Sequence, residues 1–223
     1  MKIAIDGPAG AGKSTISKAV AENLGYIYID TGAMYRSVGL AALDAGLNPK
    51  SEQDVISILD GITIDIKNED GAPAFYLNGE NVTKRIREDK VSMAASDVAV
   101  IPAVRLKLVE LQRKLAEKAD VVMDGRDIGT YVLPDAELKI FLTATVRERA
   151  MRRYKELIAK GAEVELETVE ADIAARDKND SEREFAPLRQ ADDAVLVDTT
   201  GLSIQEVIAA IHELVEKRRG EVD

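Results

Sequence analysis

Nine consecutive residues near the amino terminus have the types and the spacing of a loop that binds phosphate. Glycine lets the backbone turn tightly enough for its N–H groups to surround an anionic phosphate. Lys13 supplies a positive charge for the β- and γ-phosphates of a nucleotide, and Ser14 supplies a hydroxyl for Mg²⁺. The loop matches the Walker A pattern of glycines followed by lysine and a hydroxyl residue, and consists of Gly7, Pro8, Ala9, Gly10, Ala11, Gly12, Lys13, Ser14 and Thr15.

The segments on either side of this loop can hold it in place. Residues 2–5 form a short apolar run, which predicts a strand leading into the loop. A helix is predicted to begin near Lys13 and to end at Gly25, with an apolar stripe at Ile16, Val20 and Leu24. The unpaired N–H groups and the positive dipole end of that helix point at the phosphates. We therefore expect a nucleoside triphosphate to bind here with Mg²⁺.

The rest of the chain alternates between strand and helix patterns. Apolar runs predict further strands, and a final helix begins with a capping box formed by Ser203 and Glu206. Another helix begins at Pro102, a residue that is favoured at a first helical position. This alternation predicts an α/β fold of the P-loop NTPase type, with a mostly parallel sheet flanked by helices. The further strands are predicted at residues 26–29, 121–123, 138–142 and 194–197.

Two segments interrupt this alternation. Residues 60–84 predict a small antiparallel hairpin, with strands at 62–66 and 74–77 and turn-forming residues at 68–71. Residues 145–189 are rich in charge, which is compatible with a mobile helical lid or with a solvated surface helix. We favour the lid, because a site that transfers phosphate must exclude water.

The composition narrows the possible partners. The chain has 223 residues, a formal net charge of −10 and no cysteine. The negative charge disfavours a broad nucleic-acid-binding surface, and the lack of cysteine excludes thiol nucleophiles. No apolar run approaches the length of about 18 residues that a membrane span needs. We expect a cytoplasmic enzyme that binds neither nucleic acid nor membrane, and a monomer because no heptad repeat is present.

Three clusters that mix arginine with acidic residues follow predicted strands or lie in the predicted lid. They span residues 30–36, 124–129 and 176–183. Any one of these arginines could form a structural ion pair. Ligands of α/β proteins bind at the carboxyl ends of the strands, so the clusters together with the loop favour a binding site there.

The sequence resembles the bacterial cytidylate kinases, a family of P-loop nucleoside monophosphate kinases, over essentially the whole chain. The most specific similarities are at residues 7–14, 30–36, 124–129 and 186–188. The resemblance implies that ATP phosphorylates CMP and dCMP. It also implies a core at about 1–30, 101–144 and 190–223, a monophosphate-binding region at about 31–100 and a lid at about 145–189.

The resemblance also implies roles for particular side chains. The base lies near Tyr35, and the sugar is reached by Arg176 and Asp180. Asp30 and Thr31 belong to the substrate-binding set, and Thr31 stands where some members have serine, a change that keeps the hydroxyl. The base is read by Ser96, Arg105 and Asp127, the acceptor phosphate is held by Arg36, Arg126 and Arg183, and the catalytic residues are Lys13, Arg126 and Arg183. Arg149 and Arg153 have a spacing that suits either lid contacts to ATP or a solvent-facing helix.

The expected reaction is direct in-line transfer of the γ-phosphoryl group to a phosphate oxygen of the acceptor. This transfer needs no strong general base, because the second pKa of the acceptor phosphate is about 6. Other kinases of UMP, AMP, dTMP or shikimate share the loop and the lid, and a regulatory ATPase or a non-catalytic nucleotide sensor shares the loop. A GTPase is disfavoured because the sequence has no Asn/Thr-Lys-x-Asp motif.

Overall fold

The structure, a computed structural model, describes residues 1–69, 72–117 and 119–220. It confirms the predicted α/β fold class, with a central sheet flanked by helices and a small antiparallel sheet. The strands are β1 (Lys2–Asp6), β2 (Ile27–Asp30), β3 (Ile64–Glu69), β4 (Ala72–Leu77), β5 (Glu80–Asn81), β6 (Val121–Gly125), β7 (Leu138–Thr143) and β8 (Val195–Asp198). The helices are α1 (Lys13–Leu24), α2 (Thr31–Asp44), α3 (Glu52–Leu59), α4 (Asp89–Val98), α5 (Pro102–Ala116), α6 (Val146–Ala159), α7 (Leu166–Glu182) and α8 (Ile204–Gly220).

The chain divides into two units. The first contains Met1–Ile29 and Ala116–Asp223, and the second contains Asp30–Leu115. The further division into core, monophosphate-binding region and lid stays a prediction. Among the helices of the described residues, we find none with the length and apolar character that crossing a membrane requires.

The central sheet has the strand order β2-β6-β1-β7-β8. Strand β1 lies in the middle and pairs in parallel with β6 and β7, and β7 pairs in parallel with β8. Ile3 and Ile5 are fully buried and pack in one cluster with side chains of α1 and α8. Burial on both faces is usual for a parallel sheet covered by helices. This packing holds β1 in place, and the phosphate loop starts at its carboxyl end.

The predicted C-terminal end of α1 and the predicted start of α8 are confirmed. Gly25 closes α1 in the left-handed conformation, at φ 70°. At the start of α8, the Ser203 backbone N–H donates to the Glu206 carboxylate at 2.8 Å, and the Glu206 N–H donates to Ser203 Oγ at 3.3 Å. These reciprocal bonds make the predicted capping box.

The second unit contains the small antiparallel sheet, in the order β3-β4-β5. Its first strand begins at Ile64 and extends to Glu69, later than the predicted 62–66, and the short strand β5 was not predicted. Residues 70 and 71 of the predicted turn lie outside the described residues. Helices α2 and α4 approach closely at Gly39, where a Cβ atom would lie 2.9 Å from the backbone nitrogen of Ala95.

The charged segment 145–189 contains α6 and α7, which pack against each other. Ala150, Val169 and Ile173 form a small apolar cluster between them. On the outside, Arg147 is paired with Glu170 at 2.5 Å. This helical pair carries several of the predicted site residues in the first unit.

Candidate active site

The phosphate loop connects β1 to α1, as predicted. Gly7 has φ 148°, and a Cβ atom there would lie 2.0 Å from the carbonyl oxygen of Leu142. Gly12 precedes the first turn of α1 in the left-handed conformation, at φ 88°. Both positions therefore need glycine. The loop leads into a helix whose first N–H groups are available to an anion.

Lys13 is buried at the start of α1. Its Nζ donates a hydrogen bond to the carbonyl oxygen of Pro8 at 2.7 Å, so the side chain folds over the loop. Burial, reinforced by the nearby Arg126 guanidinium, holds the pKa of Lys13 well below its usual value, and Asp124 and Asp180 oppose this effect. An anionic ligand in the loop would favour the charged form of Lys13 and would itself be stabilised by that charge.

Asp124 belongs to the predicted cluster at residues 124–129, although the sequence assigned it no individual role. It lies at the end of β6, opposite Ile5 of β1, and is almost fully buried. Ser14 Oγ donates to Asp124 Oδ2 at 3.1 Å. A hydroxyl and a carboxylate oxygen side by side suit Mg²⁺, which prefers oxygen ligands and is usually bound by one or two carboxylates together with substrate phosphates. In the sequence, the signal for a site at Asp124 is its position directly after the predicted strand at 121–123.

Two arginine–carboxylate pairs lie near the carboxyl end of β6 in the first unit. Arg126 Nε donates to Asp180 Oδ2 at 2.8 Å, and Arg183 Nη2 donates to Asp127 Oδ1 at 3.2 Å. Burial alone would raise the pKa of Asp180, but the guanidinium groups of Arg126, Arg176 and Arg183 outweigh it and lower that pKa. The structure thus brings together five predicted site residues in the first unit, and their arginine and carboxylate charges lie side by side.

Asp6 supports this part of the site from the end of β1. Its carboxylate is buried and accepts the backbone N–H groups of Ile128 and Gly129, each at 2.7 Å. These bonds hold the turn that follows Arg126 and Asp127. Burial raises the pKa of Asp6 to about 7, although the two N–H bonds and the Lys13 charge partly oppose this rise. Sequence reasoning assigned no role to Asp6.

The raised pKa of Asp6 predicts a pH-dependent stability. The folded chain binds a proton on Asp6 more tightly than the unfolded chain does, because the pKa is raised on folding. The resulting stabilisation of the folded state is fully present below about pH 4, the usual aspartate pKa, and is lost as the pH rises through about 7. Asp6→Asn cannot titrate at this position. We expect the unfolding free energy of the wild-type chain, relative to Asp6→Asn, to fall by on the order of 4 kcal/mol between pH 4 and 8. Urea unfolding of both proteins measures this difference, and a constant difference across the range would contradict the prediction.

Arg149 contacts the phosphate loop directly. It is buried, and its Nη1 donates to the carbonyl oxygen of Ala9 at 2.9 Å while its Nη2 donates to Asp177 at 2.6 Å. It is therefore not on a solvent-facing surface of α6. Arg153 is half-buried and is paired with Glu156 of the same helix at 3.2 Å.

In the second unit, Asp30 organises the start of α2. It caps the helix by accepting the Ala33 N–H at 2.8 Å and is paired with Arg36 at 3.2 Å and Arg87 at 2.9 Å. The two guanidinium groups lower the pKa of Asp30, although burial by itself would raise it. Thr31, the first residue of α2, is buried. Arg87 was not predicted, because its sequence neighbours carry no motif.

The predicted base-reading residues of the second unit lie on three helices. The Arg105 guanidinium of α5 lies 5.5 Å from the centroid of the Tyr35 ring of α2. Arg105 is almost fully buried, and its Nη1 donates to the carbonyl oxygen of Ala99 at 3.1 Å. Ser96 is half-buried on α4. A stacked guanidinium held in this way offers directed donors to a ligand.

Comparison with known proteins gives similarity to one family along almost the whole chain. A family model described as cytidylate kinase matches residues 3–217. The cytidylate kinase of Caldicellulosiruptor bescii is 55% identical over 217 residues, covering 97% of this chain and 96% of that protein. The cytidylate kinase of Lactobacillus johnsonii is 51% identical over 219 residues, covering 98% of this chain and 95% of that protein.

Among solved structures, similarity extends to proteins with much lower sequence identity. A crystal structure of an uncharacterized protein from Eubacterium ventriosum matches with a TM-score of 0.54 and 14% identity, covering 97% of this chain and 98% of that chain. A likeness at that level of identity concerns the fold alone.

Proposed function

This chain belongs to the cytidylate kinase family, and we propose that it transfers the γ-phosphoryl group of ATP to CMP and dCMP, giving ADP with CDP or dCDP. The predicted resemblance is confirmed, because the family model matches residues 3–217. The observation that carries the proposal is the complete phosphate loop, with Lys13 over it and Ser14 bonded to Asp124. We favour this function over another small-molecule kinase or a regulatory ATPase, because the family match spans almost the whole chain.

The proposed ATP site is the loop at the start of α1. Its backbone N–H groups surround the phosphates, and Lys13 exchanges its bond to Pro8 for contacts to the β- and γ-phosphates. The bond from Arg149 to the carbonyl oxygen of Ala9 in the loop supports the proposed role of this arginine beside ATP. Arg153, whose observed partner is Glu156, is the second candidate for that role.

We propose that Mg²⁺ is held through Ser14, with Asp124 beside it. When bound, the ion neutralises charge on the β- and γ-phosphates and fixes their orientation. The donor set supports this assignment, because the Ser14 hydroxyl already lies 3.1 Å from a carboxylate oxygen of Asp124. One carboxylate is enough when phosphates complete the coordination.

The residues that bind the phosphoryl acceptor are assigned from the family resemblance and from their charges. We propose that Arg36, Arg126 and Arg183 hold the acceptor phosphate and that Arg176 and Asp180 contact the sugar. Tyr35 lies against the base, which is read by Ser96, Arg105 and Asp127. Cytosine offers one amine donor beside two acceptors, so it suits one carboxylate with arginine and serine donors. We also assign Asp30 and Thr31 to the substrate-binding set, and the pairing of Asp30 with Arg36 at 3.2 Å supports its place there.

Catalysis on this proposal comes from alignment and from neutralisation of charge. The acceptor phosphate, with a second pKa of about 6, is already an ionised nucleophile at neutral pH. Its oxygen attacks the γ-phosphorus in line with the departing ADP, so one P–O bond forms as another breaks. Lys13, Arg126 and Arg183 surround the transferred group with positive charge, which is the main contribution a protein makes to such a transfer.

Product analysis tests the proposed function. The chain incubated with Mg²⁺, ATP and CMP should form CDP and ADP in equal amounts, and omission of CMP should abolish ADP formation. ADP release without an acceptor would instead indicate an ATPase, and nucleotide binding without turnover would indicate a sensor.

The cytoplasmic location and the monomeric state of the chain stay predictions.

A further inference from the structure

The Asp124 carboxylate is held through both of its oxygens. Ser14 Oγ donates to Oδ2 at 3.1 Å, and the Tyr28 hydroxyl donates to Oδ1 at 2.8 Å. Tyr28 lies on β2, which is the neighbour of β6 in the sheet. The strand next to β6 on its other side is β1, which leads into the phosphate loop. Adjacent strands thus bring a tyrosine and the loop to opposite oxygens of one carboxylate.

We propose that Tyr28 is a positioning residue for the metal–nucleotide site, because its hydroxyl fixes the orientation of the Asp124 carboxylate. This inference rests on the proposed Mg²⁺ site at Ser14 and extends it. Tyr28 does not itself contact the ion or the nucleotide on this account. It holds Oδ1, so that Oδ2 stays directed at Ser14.

The physical reason is the freedom of a carboxylate to rotate about its last side-chain bond, a torsion that is only weakly restricted. Asp124 is 4% exposed, so few water molecules can replace a lost donor. A hydrogen bond from a neutral hydroxyl to a carboxylate is charge-assisted and strongly directional. Residues that orient metal ligands in this way commonly change metal affinity or activity by about 10–100-fold.

The chain offers a matched control on the same segment. The rings of Tyr26 and Tyr28 both pack against the core cluster of the first unit. The Tyr26 hydroxyl accepts a hydrogen bond from Arg219 at 3.0 Å, whereas the Tyr28 hydroxyl donates to Asp124. Tyr26→Phe and Tyr28→Phe each remove one hydroxyl and keep the ring, so the two variants differ in the partner that is lost.

The test measures binding of AMP-PNP, a non-hydrolysable ATP analogue, by calorimetry in Mg²⁺ and in EDTA. Tyr28→Phe should weaken binding in Mg²⁺ by about 10-fold or more and leave binding in EDTA within about 2-fold of the wild type. Tyr26→Phe should leave both affinities unchanged. An equal effect of Tyr28→Phe in both buffers, or no effect in either, would overturn the inference. Wild-type affinity that does not depend on Mg²⁺ would contradict the proposed metal site itself.

A double-mutant cycle shows whether Tyr28 acts through Asp124. Asp124→Asn removes the negative charge with little change in shape, and it should also weaken binding in Mg²⁺. If the tyrosine acts by orienting this carboxylate, Tyr28→Phe should have little further effect in the Asp124→Asn background. Additive losses would show that the two residues act independently and would overturn the inference. Thermal unfolding of each variant confirms that the folded chain is being compared.

Discussion

Arg126→Ala is expected to lower kcat for CMP phosphorylation by about 10³-fold or more, because one arginine at a transferred phosphoryl group contributes on the order of 10³–10⁵ in rate. Arg126 is held at the end of β6 by its 2.8 Å bond to Asp180. Its charge is also close enough to Lys13 to depress the pKa of that lysine. Two cations held close together cost electrostatic energy, which binding of an anion would offset. Steady-state kinetics with CMP and ATP measure the expected loss.

The control for Arg126→Ala is Arg147→Ala. Arg147 is an exposed arginine of α6 in the same unit and is paired with Glu170 at 2.5 Å. Exposed pairs contribute about 0–1 kcal/mol, so this variant should keep its turnover and its thermal unfolding temperature. A fall of less than about 10-fold in Arg126→Ala, with the fold intact, would reject the catalytic role of Arg126.

The second expected effect is a preference for CMP over UMP of about 10⁴ in kcat/KM, because a mismatched base leaves buried polar groups unpaired. Uracil replaces the amine donor of cytosine with an acceptor. If Asp127 reads the base as proposed, Asp127→Asn introduces an amide donor opposite this position and keeps the oxygen that accepts the bond from Arg183 at 3.2 Å. We expect the kcat/KM of this variant to fall for CMP. The ratio of kcat/KM for CMP to that for UMP should therefore become smaller than in the wild type.

Asp193→Asn is the control for this change of specificity. Asp193 is an exposed aspartate of the same unit, paired with Lys139 at 2.8 Å. Its replacement should leave the ratio of the two kcat/KM values unchanged. The KM for ATP should stay near the wild-type value in both variants. An unchanged ratio in Asp127→Asn would show that Asp127 does not read the base.

The sequence predicted the elements that local patterns determine. The β1–loop–α1 unit was recognisable because glycine, lysine and hydroxyl residues occupy fixed positions in it. Two strands were predicted one residue early, for a local reason. The Tyr26 N–H donates to the carbonyl oxygen of Ala21 and completes the end of α1, so β2 begins at Ile27. The Ala194 N–H donates to Ala191 in a turn, so β8 begins at Val195.

The contacts that support the site were harder to predict, because they join residues far apart in the sequence. Asp124 meets Ser14 across 110 positions, and Asp6 meets Ile128 across 122 positions. Asp124 belongs to the predicted cluster at residues 124–129, but its bond to Ser14 could not be predicted from that cluster alone. Asp6 directly follows the predicted strand at residues 2–5 and so carries the same local signal as Asp124, but its bonds to the turn after Asp127 could not be predicted from it. Tyr28 carries no such signal, because its role depends on which strands are neighbours in the sheet.

The acceptor specificity of the wild-type chain separates a cytidylate kinase from the other kinases that share its loop. We would measure kcat/KM in a coupled ADP-release assay with Mg²⁺, ATP and one acceptor at a time: CMP, dCMP, UMP, AMP or dTMP. We expect strong turnover with CMP and dCMP and a kcat/KM for UMP that is lower by about 10⁴. Equal kcat/KM values for UMP and CMP, or a preference for AMP or dTMP, would show that the chain is not a kinase specific for cytidine monophosphates.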